Sequence, residues 1–103
     1  MRTWSDLQKD LQDLMGNKVK VYYQPPENIK LQYPCIIFEL NDAYSIHADN
    51  IPYMKIKRYS VTLITLDADN EEYVDKLLSM PRSSMERQFI NERLVHVLFN
   101  IYY

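Results

Sequence analysis

The sequence predicts an α+β fold, mainly antiparallel, with two helices in the order α-β-β-β-α-β-β and a long projecting β-hairpin. Two segments space their apolar residues for a helix. Others alternate with the period of a strand, and the strands come in consecutive runs rather than one per helix. The chain has 103 residues, 47% hydrophobic and 25% charged, which suits one core of modest size. A single domain over 1–103 is therefore expected.

The first helix carries Leu7, Leu11, Leu14 and Met15 on one side and Asp6, Lys9, Asp10 and Asp13 on the other. Ser5 is placed to cap it, with Gln8 completing a capping box. Gly16, the only glycine, falls where a left-handed stop is needed, so no phosphate-cradling glycine loop exists. Strand 19–23 alternates Val19, Val21 and Tyr23 with Lys20 and Tyr22.

The stretch "YYQPPENIKLQYP" holds three of the five prolines. It reads as a stiff connection between strands of one sheet, with Pro34 keeping Tyr33 extended. "CIIFEL" (35–40) is apolar on both faces except at Glu39. It needs cover on one side from a helix and on the other from something else, such as a neighbouring subunit. Turn formers bound 41–52, which reads as a polar loop at the tip of a hairpin with the strand 53–66. In that strand Tyr59, Val61 and Leu63 form an apolar face that Lys55 and Lys57 continue into water.

The second helix follows in "DADNEEYVDKLLSMP". Asp69 or Asn70 caps it, Glu71 and Glu72 suit its positive end, and Pro81 stops it. Val74, Leu77 and Leu78 are its expected buried stripe. Strand 83–90 turns near Asn91-Glu92 into strand 93–103, whose Val95, Val97, Phe99, Ile101 and Tyr103 share one face.

Composition narrows the chemistry. A net charge of -2 argues against general nucleic-acid binding. No apolar run is long enough to span a bilayer as a helix, and "MRTWSDLQKDLQ" has no apolar signal core. Synthesis in the cytoplasm is expected. The lone Cys35 lies in an apolar run, as a buried structural thiol does.

The acids Asp67, Asp69, Glu71 and Glu72 beside Lys76 offer a metal-dependent nuclease reading. Helix capping accounts for the same residues. His47 and His96 have no ligand cluster around them in the sequence. Lys55, Lys57 and Arg58 with Tyr53 and Tyr59 make a basic, aromatic strand, a platform for single-stranded nucleic acid or a device against edge pairing. Nine tyrosines, many near strand ends, favour a protein–protein surface.

Three segments, "YYQPPENIKLQYPCIIFEL", "ADNIPYMKIKRYSVTLI" and "HVLFNIYY", give the chain a familiar pattern. It resembles small head-tail connector proteins of tailed phages and prophages, of the tail-completion or tail-terminator type. The helix opening "MRTWSDLQ" and "DKLLSMP" fall where that family has helices. The resemblance implies a virion protein at the head-tail junction, assembled in the host cytoplasm as a homo-oligomeric ring, a hexamer. Its partners would be the tail-tube protein and the head connector or adaptor, with DNA passing the lumen unbound. A neighbouring head-completion ring is the alternative within the class. The resemblance implies no catalytic residue, metal or cofactor. It gives hairpin 35–66 a role in subunit contacts, for which tyrosines and loop position nominate Tyr33, Tyr44, His47, Asp49, Asn50, Tyr53, Lys55 and Lys57.

Overall fold

The computed structural model describes residues 3–26, 28–48 and 51–103, with the side chains of residue 44, 46–48 and 51–55 outside that description. Helix α1 spans Trp4–Met15 and is followed by a 3₁₀ turn, Gly16–Lys18. The strands are β1 (Lys20–Tyr23), β2 (Cys35–Ala48), β3 (Ile51–Thr65), β4 (Ser83–Asn91) and β5 (Leu94–Tyr102). Helix α2, Glu71–Leu78, lies between β3 and β4. The α+β class and the order of elements agree with the sequence reading.

Helix α1 starts two residues earlier than expected. Thr3, not Ser5, is the N-cap, and its N–H donates to the Asp6 carboxylate at 2.9 Å. Asp6 rather than Gln8 is the reciprocal member, since the box spans Thr3 to Asp6. Gln8 is used elsewhere: its amide donates to Val21 O, and that of Gln12 to Val19 O. Leu7, Leu11 and Met15 are buried, as the spacing predicts.

The sheet order is β1-β2-β3-β5-β4. Every neighbouring pair is antiparallel except β1 with β2, which run parallel from Lys20↔Cys35 to Tyr23↔Phe38. The proline-rich stretch is thus a crossover without a helix, returning the chain to the start of β2. Its Tyr33-Pro34 bond is cis, and Pro34 O accepts the Lys20 N–H.

Alternate residues of β2, β3 and β5 face α1 and α2. Ile36, Phe38, Tyr59, Val61, Leu63, Val97, Phe99 and Ile101 are all buried there with Leu7, Leu11 and Leu77. Each such side chain contributes about 1.5–3 kcal/mol by leaving water. Rings run through this layer in contact, from Trp4 stacked on Tyr23 to Phe38, Tyr59 and Tyr103. On α2 the expected stripe is corrected. Val74 packs beside the buried Leu77 as expected, joined by Tyr73 and Met80, whereas Leu78 is 44% exposed. The helix is only 8 residues long, so one face suffices to seat it.

Candidate subunit interface

The segment 41–52 is not a polar loop. Strand β2 continues through Ala48 and β3 begins at Ile51, so the two pair from Cys35↔Ile64 to Ala48↔Ile51. Asn41, a turn former by composition, is absorbed as a bulge between Leu40↔Tyr59 and Asp42↔Arg58. Beyond it, Tyr44 and Ile46 supply the β-forming residues that turn chemistry at both ends disguised.

Strands β1 and β5 stop well short of this hairpin's end. β1 pairs only with residues 35–38 of β2, and β5 only with residues 58–65 of β3. What remains is a two-stranded arm, residues 41–48 and 51–57, in a molecule measuring 51 × 28 × 24 Å. Its root is clamped by Arg58, whose guanidinium meets the Asp42 carboxylate at 3.1 Å.

The nominated residues divide by position. Tyr44 and His47 lie on the arm in β2, opposite Ile56 and Pro52, while Lys55 and Lys57 lie in β3 opposite Ser45 and Ala43. Tyr53 sits at the second register shift, between the pairs Ile46↔Met54 and His47↔Pro52. Asp49 and Asn50 lie outside the described residues. Tyr33 is not brought to this group. It sits before the first residue of β2, 36% exposed, about 30 Å of strand away from Tyr44.

A second candidate surface was only half legible. The sheet face opposite the helices carries Tyr22, Ile37, Thr62, Leu98 and Arg87, one per strand in continuous register across all five strands. Tyr22, Ile37, Thr62 and Leu98 are half-buried, and Arg87 is exposed. The neighbouring row is Lys20, Cys35, Ile64, His96 and Phe89. Phe89 stacks on His96 at 5.0 Å, and the Arg87 guanidinium lies 5.0 Å over Phe89. The doubly apolar run at 35–40 signalled this face. Its partners on β4 and β5 did not announce themselves, because only the register aligns them.

The acids of the nuclease reading are arranged as helix-start chemistry. Asp67 accepts the Asp69 N–H at 3.0 Å, and Lys76 pairs with Glu72 at 3.4 Å. Asn70 is the N-cap, but among the described residues its side chain makes no cap bond and its buried Nδ2 has no hydrogen-bond partner. Among the described residues, no three His, Cys, Asp or Glu are grouped to hold a metal ion. Burial pushes the Cys35 thiol up to about 11, away from the range of a nucleophile. Among the described residues no helix is long and apolar enough to cross a membrane. No protein-family model matches the chain, and no match to it was found among the curated proteins compared.

Proposed function

We propose that this chain is a structural virion protein of a tailed phage: a tail-completion protein whose copies form a ring, a hexamer, at the head-tail junction. In this reading the ring ends tube growth and presents a surface to the head connector, and the chain has no catalytic role. The arm carries the proposal. A ribbon of two strands is marginal in water on its own, yet β2 and β3 continue as one well beyond their neighbours. A neighbouring copy or the tail tube supplies the missing contact. The resemblance of "YYQPPENIKLQYPCIIFEL", "ADNIPYMKIKRYSVTLI" and "HVLFNIYY" to tail-completion proteins supplies the context.

The test is electron microscopy of virions assembled with a chain lacking residues 44–55. Tails of abnormal length, joined to heads or not, support the proposal. Normal, joined particles overturn it. Tails of normal length beside unjoined, emptied heads assign the chain to the adjacent adaptor ring instead.

A further inference from the structure

Resting on the ring reading, we propose that the ring is closed by a head-to-tail contact in which α2 of one copy packs on the open sheet face of the next. The sheet face offers the apolar side chains of Ile37 and Leu98 with Thr62 between them, bounded by the cations Lys20 and Arg87. Neither helix covers it, since both pack with the alternate residues of the same strands. A half-buried band of this kind on a sheet asks for a second layer.

The second layer is present in the chain itself. On α2, Glu71, Asp75 and Leu78 are all exposed and fall at i, i+4 and i+7, one outward stripe. Leu78 is an apolar knob, 44% exposed. Glu72 takes the only lysine of the helix, so Glu71 and Asp75 make no ion pair among the described residues. Acids and knob on α2 thus complement cations and band on the sheet.

The spacing agrees as well. Asp75 precedes Leu78 by three residues, about 4.5 Å of helical rise, and Arg87 stands one strand beyond Leu98, about 4.8 Å. Leu78 seated on Leu98 and Thr62 therefore brings Asp75 to Arg87. The donor and acceptor surfaces lie on opposite layers of one molecule, so the contact is heterologous. Such contacts close into rings when the rotation per copy permits and never saturate as a two-fold dimer.

The experiment uses the full chain in a Cys35→Ala background, because the native thiol lies in the row beside Thr62, with Thr62→Cys and Leu78→Cys together, and each alone, under oxidation. The double variant is expected to give a ladder of cross-linked species, and each single variant only monomers. Arg87→Glu is expected to raise the dissociation constant between copies by roughly tenfold or more, with Arg87→Asp plus Asp75→Arg restoring association. A chain that forms rings by native mass spectrometry without a ladder overturns this interface and leaves the ring reading standing. Dimers from Thr62→Cys alone overturn it in favour of sheet-on-sheet pairing. A chain that stays monomeric at every concentration, and does not assemble on isolated tails, overturns both readings.

Discussion

Arg58 grips Asp42 with two parallel bonds, Nε to one carboxylate oxygen and Nη2 to the other, each 3.1 Å long. The pair joins the strands of the hairpin at Arg58↔Tyr102, the last rung that β3 shares with β5. It is also the first rung after the bulge at Asn41. A fork of fixed geometry thus stands where the third strand ends and the arm begins.

Asp42→Ala should therefore loosen the arm more than the body. Both side chains are substantially exposed, so global stability should fall by less than about 1 kcal/mol. Backbone amides of residues 43–57 should exchange faster, while those of Val61 and Phe99 keep their protection. Hydrogen exchange by mass spectrometry reads this directly. Unchanged exchange in the arm would mean that the ion pair does not hold its root.

Gly16 is required by its backbone and not by its surroundings. Its φ is 77° and its ψ -161°, a region that side-chain-bearing residues avoid, while a Cβ there would meet nothing within 4 Å. Gly16→Ala should cost about 1–3 kcal/mol through backbone strain alone. Denaturant unfolding measures it, and a neutral result would show that the turn relaxes freely.

The β4-β5 turn is the opposite case. Its central residues Glu92 and Arg93 have φ of 53° and 68° without being glycine or asparagine. Two left-handed residues are what a tight type I′ hairpin needs, and Asn-Gly supplies them without strain. The expectation of a turn near Asn91-Glu92 is shifted by one, because Asn91 pairs with Leu94 as the last rung. Glu92→Asn with Arg93→Gly should stabilise the chain by about 1 kcal/mol or more. A thermal midpoint that fails to rise would count against the turn geometry.

Alkaline pH should expose the buried thiol. Burial raises Cys35 from 9.0 to about 11, so between these values the unfolded chain releases a proton that the folded chain keeps. Cys35's contribution to stability is then intact below pH 9 and lost as pH rises toward 11. Tyr59 shifts the same way, through burial first and then the Tyr23 and Asp6 charges. Stability measured against pH should decline more steeply in the natural chain than in Cys35→Ala. Equal slopes would place Cys35 in contact with water.

How much of this was readable in advance depends on what each residue must satisfy. The buried faces of α1, β3 and β5 were legible because period alone decides them, and Leu7, Leu11, Tyr59, Val61, Val97 and Phe99 are buried accordingly. The projecting hairpin was legible, but its outer part looked like a loop because Asn41-Asp42 carry turn chemistry, which a bulge and the bond to Arg58 absorb into a strand. Ser5 looked like the cap because hydroxyl and carboxylate capping residues crowd the start of α1, and only geometry selects Thr3. The parallel pairing of β1 with β2 depends on where a proline-rich crossover lands, which no local pattern states. For the interface, the need for cover over 35–40 was visible, but Leu98 and Arg87 join it only through registers that span the whole sheet.

The two margins of the sheet body differ in how they receive a further strand. Beside β1 the outward carbonyls of Val19 and Val21 are already taken by the amides of Gln12 and Gln8, whereas β4 is the terminal strand on the other side. Within the body of the sheet, β4 is therefore the margin more open to a further strand.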